Sequence, residues 1–156
     1  MLRSARLPMV LALSAVLWAC SDNGPGDEIV FPTIDADILL EFCIRGEVPV
    51  TATTSRSGSV STSDCTAGFD DGYWEGWRVR VAEAGSYTIE VSSDFDSWLT
   101  VWRLNDVNNV DDATVDLLGE DDDSAGNLDA MLTVSLQPNT EYVVFVSGYD
   151  QSQVGA

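Results

Sequence analysis

An alternation of apolar and polar residues with a period of two is the feature that most restricts this fold. It is clearest in residues 77–81 (WRVRV), 86–93 (SYTIEVSS) and 130–136 (AMLTVSL). Side chains alternate in this way on strands, and no stretch repeats with the 3.6-residue period of a helix. Residues 141–148 (EYVVFVSG) are apolar on both faces, which is typical of a central strand. The sequence therefore predicts an all-β fold, an antiparallel β-sandwich over residues 38–156.

Charge excludes several classes of function. The chain has 26 acidic residues, 7 basic residues and no histidine, for a net charge of -19, and none of the basic residues is lysine. Nucleic acid is therefore not expected as a partner, because that affinity depends on cations that neutralise phosphates. Without histidine, the chain can form neither a nucleophile activated by histidine nor a metal site with histidine ligands. A catalytic carboxylic acid needs apolar surroundings that raise its pKa, and the acids here are expected in loops among other acids, so we expect no enzymatic activity. Hydrophobic residues make up 45% of the chain, which is enough to form a core despite the charge.

The N-terminus is typical of an export leader. Arg3 and Arg6 precede the apolar run 10–19, which is too short for a transmembrane helix. Residues 17–20 (LWAC) resemble the lipobox of bacterial lipoproteins. The resemblance implies that residues 1–19 are a signal peptide, that Cys20 is lipidated, and that the protein is anchored to a membrane of the cell envelope, on the outer membrane or cell surface. The alternative is an ordinary secretory leader with an incidental Cys20, giving a secreted protein.

Residues 20–37 begin with a polar, glycine-rich and acidic stretch, and we interpret them as a flexible tether because like charges keep such a segment extended. Export also permits disulfides. Once Cys20 is lipidated, Cys43 and Cys65 are the remaining cysteines, and they are predicted to pair. Two separate buried thiols are the alternative.

A family resemblance rests on four segments in order: SGSVSTSDC, YWEGWRVRVAEAGSYTIEVSSDFDSWLTVW, LGEDDDSAGNLDAMLTVSL and NTEYVVFVSGYDQSQVGA. Together, over about residues 55–156, they resemble the bacterial pre-peptidase C-terminal domain. The resemblance implies a jelly-roll-like sandwich of about eight strands that is not itself catalytic. Members are often appended to secreted proteases, and some bind calcium, carbohydrate or protein polymers. The family usually adds a last strand after this point, and a sandwich that lacks it has an open edge for pairing with another chain.

The acidic loop that contains Asp121, Asp122 and Asp123 is the strongest candidate for a metal site. Adjacent carboxylates repel one another, and calcium coordinated by several oxygens relieves that repulsion. Asp94 and Asp96 precede a predicted neighbouring strand and are candidates for further ligands. The alternative is a solvated acidic turn.

Trp98 and Trp102 share one face of a predicted strand, opposite the face that carries Leu99 and Val101. If the two rings are exposed, they can stack on sugar rings. If they are covered, they belong to a second apolar layer. We therefore expect a lipid-anchored, non-catalytic module that binds a polysaccharide or protein ligand or gives structural support. A carbohydrate-binding module that uses the two tryptophans is the alternative, and a domain that needs calcium only for rigidity is a third reading.

Overall fold

A computed structural model describes residues 9–15, 29, 43–66, 72–105 and 114–156, the first of these ranges as backbone only. These residues form ten strands: β1 (Met9–Ala15), β2 (Ile44–Val50), β3 (Thr54–Gly58), β4 (Cys65–Thr66), β5 (Tyr73–Val81), β6 (Gly85–Ser92), β7 (Ser97–Asn105), β8 (Thr114–Asp121), β9 (Met131–Leu136) and β10 (Glu141–Gly148). Within these ranges no helix is present that could cross a membrane.

The strands form two sheets. One has the order β3-β1-β6-β9, and the other has the order β2-β5-β10-β7-β8, with β4 also paired to β5. The predicted all-β sandwich is confirmed, but the larger sheet is mixed because β2 runs parallel to β5. A parallel pair needs a long connection, and the chain between β2 and β5 provides one by passing through β3 in the opposite sheet.

The core lies between the two sheets and is built from the alternating residues. Val79, Ile89, Leu99, Val101 and Val144 are essentially inaccessible to solvent. A second apolar cluster covers the opposite face of the larger sheet; its buried members are Trp74, Leu104, Val143 and Phe145. Because β10 contributes to both clusters and lies between β5 and β7, the prediction of a central strand at 141–148 is confirmed.

Strand β1 lies within the segment that the sequence predicts to be a leader. It pairs antiparallel with β3 on one side and with β6 on the other. An apolar run of this length satisfies the requirements of a signal peptide and of a buried strand equally well. Proteolytic removal of residues 1–19 stays a prediction.

Candidate functional site

A disulfide joins Cys43 to Cys65, as the sequence predicts, with the two Cα atoms 6.1 Å apart. Cys43 directly precedes β2, and Cys65 begins β4. Both strands pair with β5, β4 near its start and β2 further along. The bridge therefore fixes two short segments to one strand, at the place where an open cleft begins.

A β-bulge directs Arg45 into this cleft. In the pairing of β2 with β5, Ile44 lies opposite Gly76 and Gly46 lies opposite Trp77, so that Arg45 is the extra residue. Bulges re-aim side chains and are common beside functional sites. At Gly46 an added Cβ would come within 3.1 Å of the Trp77 ring, which explains why glycine follows the bulge.

The guanidinium of Arg45 holds two carboxylates. It forms an ion pair with Asp64, and its Nε lies 3.4 Å from Oε1 of Glu75. Asp64 in turn accepts hydrogen bonds from the backbone N–H of Ser61 at 2.7 Å and from its hydroxyl at 3.0 Å. The Ser61 hydroxyl is 2.8 Å from that of Ser63. One wall of the cleft is thus the turn with Ser61 and Ser63, which Asp64 links to the guanidinium of Arg45.

Two lining residues of the cleft each carry a buried polar atom that has no hydrogen-bond partner in the described part of the chain. The two atoms are Oε2 of Glu75 and the indole nitrogen Nε1 of Trp77. Glu75 is 6% exposed, and burial raises its pKa although Arg45 and a hydrogen bond from the Ser59 backbone act to lower it. A buried polar group without a partner costs about 1–3 kcal/mol, which the surrounding packing has to offset.

The cleft, which we call the Arg45 cleft, has a volume of about 390 Å³, within the range of small-molecule sites. Its lining residues are Arg45, Ser57, Gly58, Ser59, Ser61, Ser63, Asp64, Glu75 and Trp77. Most of these carry hydroxyl, carboxylate, guanidinium or indole groups, so the cleft can both donate and accept hydrogen bonds. The sequence does not reveal this cleft, because the serines have no distinctive spacing and the bulge that directs Arg45 leaves no local sequence signal.

The predicted calcium ligands are only partly brought together. Burial and the carboxylates of Asp123, Asp122 and Asp150 raise the pKa of Asp96, so these four acids share one end of the sandwich. Asp150 was not among the predicted ligands. Nowhere in the described ranges do three or more acidic or cysteine side chains stand close enough to hold a metal ion.

Asp121 and Asp94 are engaged with backbone instead. Asp121 accepts hydrogen bonds from the N–H groups of Ser124 and Met131, both at 2.9 Å, and from the Ser124 hydroxyl. Although burial acts in the opposite direction, these bonds hold the pKa of Asp121 below its usual value. Asp94 accepts a hydrogen bond from the N–H of Ala156 at 3.0 Å. Asp121 therefore stabilises the turn that follows it, and Asp94 ties the loop after β6 to residue 156.

Trp98 and Trp102 lie in different surroundings. Trp102 packs against the second apolar cluster, and its Nε1 donates to the Thr100 hydroxyl at 2.9 Å. Trp98 is half-buried, with its ring centroid 6.2 Å from that of Tyr149, and Tyr149 is 54% exposed. The aromatic surface at this end of the sandwich is therefore Trp98 with Tyr149.

A buried ion network crosses the outer face of the larger sheet. Arg78 donates from Nε to Oε1 of Glu141 at 2.9 Å and from a terminal nitrogen to Glu47 at 2.6 Å. Arg80 Nε lies 3.6 Å from the other oxygen of Glu141. Arg78 and Glu141 are 4% and 5% exposed, so this is an interior network rather than a surface pair.

Two predicted features lie outside the described residues: Cys20 and the tether over 20–37 apart from Ile29. Comparison with known proteins gave no matching family model, no matching curated protein and no matching solved structure. The resemblance to the pre-peptidase C-terminal domain therefore stays a prediction.

Proposed function

We propose that this protein is a non-catalytic binding module of the bacterial cell envelope, anchored by lipid on Cys20, and that it binds a neutral polyhydroxylated ligand in the Arg45 cleft. The observation that carries this proposal is the construction of the cleft. A bulge places one cation in a serine-lined hollow, and the disulfide lies just before the bulged strand. The disulfide agrees with export.

The charges in the cleft favour a neutral ligand over an anion. Arg45 is already paired with Asp64 and Glu75, so little positive charge is left for a phosphate or carboxylate. The net charge of -19 repels anions over a longer range. Sugar hydroxyls, which donate and accept, complement the serine hydroxyls, the carboxylates and the guanidinium that line the cleft. A polysaccharide of the cell surface is a ligand of this class.

The same contacts support a role in binding rather than catalysis. A carboxylate that transfers protons must be free to change its charge and to reach the substrate. Glu75 and Asp64 are both tied to Arg45, and Asp64 also closes the serine turn. The cleft is therefore organised to hold a ligand in place.

A titration with mono- and oligosaccharides, followed by NMR chemical shifts, tests the proposed ligand class. We expect the ligand that binds best to lose at least tenfold in affinity in an Arg45→Gln variant. The loss of a charged hydrogen bond, about 1.5–3 kcal/mol, accounts for that factor. Arg56→Gln is the matched control, because Arg56 lies on the adjacent β3 outside the cleft lining and bonds only to the neighbouring Ser55 carbonyl among the described residues.

Two results would contradict this assignment. Equal affinity in the Arg45→Gln and Arg56→Gln variants would remove the cleft as the binding site. A loss confined to Trp98→Ala would move the site to the Trp98 and Tyr149 surface, in agreement with the alternative prediction of an aromatic sugar platform.

Calcium stabilisation of the acidic end is a second proposal, because Asp122, Asp123 and Asp150 all disfavour the charged form of Asp96. The described side chains do not form a ready coordination cage. The acidic loop after β8 would have to close on Asp96 before calcium could bind. A cation held there would add rigidity and take no part in ligand chemistry.

Thermal melting with and without calcium tests this second proposal. At 1 mM calcium, a site with a Kd near 10 µM adds about 2.7 kcal/mol to the free energy of unfolding. We expect Asp123→Asn to lose most of that gain. Glu120→Gln, at an exposed position just before the loop, should keep it. Equal gains in both variants, or a gain reproduced by sodium chloride at the same ionic strength, would show general charge screening instead.

A further inference from the structure

The aromatic pair of Trp98 and Tyr149 lies at one end of the outer face of the larger sheet. Ser97 and Leu99 of β7 are fully buried. Trp98 and Asp96 alternate with them, so both side chains point away from the core. The N–H of Tyr149 donates to the Asp96 carbonyl at 2.9 Å, which extends the pairing of β7 with β10 by one step. We call the surface formed by Asp96, Trp98 and Tyr149 the aromatic corner.

The two rings of the aromatic corner are accessible to a ligand. Tyr149 is 54% exposed, Trp98 is half-buried, and their ring centroids are 6.2 Å apart. An exposed apolar patch with a polar rim is typical of an interaction site. The faces of tyrosine and tryptophan rings carry partial negative charge, so they attract cations in particular.

Carboxylates border the aromatic corner. β8 ends with Asp121 opposite Leu99, so Asp122 and Asp123 leave the sheet beside the start of β7. Burial, and then the carboxylates of Asp123 and Asp122, raise the pKa of Asp96, so these three acids lie close enough to repel one another. Within the described ranges, none of the ion pairs includes any of the three.

The arginines of the described ranges are used elsewhere. Four of them pair with other carboxylates: Arg45, Arg78, Arg80 and Arg103. Arg56 donates to the carbonyl of its neighbour Ser55. Because the chain has no lysine and a net charge of -19, the negative charge at the aromatic corner is left for a cation from outside the chain. The field of the whole protein steers cationic partners towards it.

A basic polypeptide fits this surface better than a small cation does. One cation–π contact at an exposed site raises affinity only about two- to fivefold, and an exposed ion pair adds no more than that. Stable binding therefore needs several cations on one partner. Arginine suits the corner because its planar guanidinium stacks on an aromatic ring while its N–H groups donate to carboxylates at the edge of that ring.

We propose that the aromatic corner is a docking surface for a basic polypeptide, and that an arginine of this partner stacks on the rings of Trp98 and Tyr149. The guanidinium faces the carboxylates of Asp96 and Asp122, and a further cation of the partner faces Asp123. The Arg45 cleft contains none of these residues. The inference is therefore independent of the neutral ligand proposed for that cleft.

Titration of the full-length protein with a synthetic peptide of alternating glycine and arginine tests the docking surface. The control peptide has citrulline, which is uncharged and has nearly the same shape, in place of each arginine. The solution contains a calcium chelator, so that calcium does not occupy the same carboxylates. We expect the arginine peptide to bind at low ionic strength and to shift the NMR signal of the Trp98 indole, and the citrulline peptide to do neither.

Variants of the aromatic corner separate the ring contact from the charge contact. We expect Tyr149→Ala to weaken binding of the arginine peptide about fivefold, and Tyr149→Phe to keep the affinity because the ring remains. Asp122→Asn should weaken binding about two- to fivefold. Glu90→Gln removes the same charge at an exposed position on the smaller sheet, and it should have no effect.

Four results would overturn the proposal. The first is equal binding of the two peptides, or no binding of the arginine peptide at low ionic strength. The second is an unchanged affinity in Tyr149→Ala, which would exclude the stacked arginine. Equal losses in Asp122→Asn and Glu90→Gln would show attraction to the net charge alone. An oligosaccharide that shifts the Trp98 indole signal and displaces the peptide would assign the corner to a sugar instead.

Discussion

Replacing Arg78 with leucine should lower the free energy of unfolding by about 3–5 kcal/mol, the cost of breaking a buried ion pair by removing one partner. Arg78 is 4% exposed and donates to Glu141, which is 5% exposed. Without the guanidinium, the Glu141 carboxylate remains in the interior, and the ion pair that it keeps among the described residues is with Arg80, 3.6 Å from its second oxygen. Urea denaturation of the Arg78→Leu variant measures the change directly.

A matched surface pair provides the control. Arg103 and Asp116 form an ion pair of similar length, 2.6 Å, but their side chains are 47% and 48% exposed. We expect Arg103→Leu to cost no more than about 1 kcal/mol, because exposed pairs contribute little. The double variant Arg78→Leu with Glu141→Leu should recover part of the loss, since it removes the buried carboxylate. Glu47, whose side chain is 48% exposed, is left to solvent, and Arg80 loses its contact with Glu141. Equal costs at Arg78 and Arg103 would contradict the interior placement of the network.

The loss should also depend on pH in a definite direction. Burial already raises the pKa of Glu141, although Arg78 acts to lower it. Removing Arg78 raises that pKa further. Where a folded-state pKa exceeds the unfolded value, the folded state binds more protons, and stability falls as pH rises between the two values. The Arg78→Leu defect should therefore be largest at neutral pH and shrink as the solution is acidified and Glu141 takes up a proton.

The period-two alternation was sufficient for the core and for strands such as β5, β6 and β9, because a strand with one buried face needs an apolar residue at every second position, as at Val79, Ile89 and Leu99. It did not predict β1, which lies within the predicted leader, or the short β4. The alternation did not predict that Arg78 is buried. The alternation assigned Arg78 to the face opposite the core, and that face is normally solvated. Here a second apolar layer covers it, so the arginine is buried and paired. Which faces of a sheet are covered depends on tertiary packing that local sequence does not encode.

The candidate site was less predictable for a related reason. A cluster of acids suggested calcium, but the backbone geometry turned Asp121 towards the N–H groups of its own loop. The Arg45 cleft depends on a bulge in a parallel pair, and neither the bulge nor the parallel direction is visible in a local pattern. Cys43 and Cys65 were predictable because, once Cys20 is assigned to lipid, no other pairing partner exists.

Variants of the three cysteines should affect folding stability and membrane anchoring separately. Replacing Cys43 and Cys65 together by serine should lower the free energy of unfolding by about 3 kcal/mol, the loop-closure contribution of a bridge over this length of chain. The bridged residues are 22 positions apart. Because the bridge also fixes the start of β2 beside the Arg45 bulge, ligand affinity in the cleft should fall in the same variant. Changing both residues avoids an unpaired thiol that could form wrong bridges.

Cys20→Ser is the control for this double variant, and it should behave in the opposite way. In a bacterial host we expect it to move the protein from the detergent phase to the aqueous phase and to abolish the mass increase of acylation. With residues 1–19 removed from both proteins, its urea denaturation curve should match that of the unsubstituted protein, because the proposed lipid takes no part in the sandwich. The double variant should keep the lipid and lose stability. A Cys20→Ser protein that remains in the detergent phase would show that another segment holds the chain to the membrane, and the anchor would have to be sought in the apolar run that precedes Cys20.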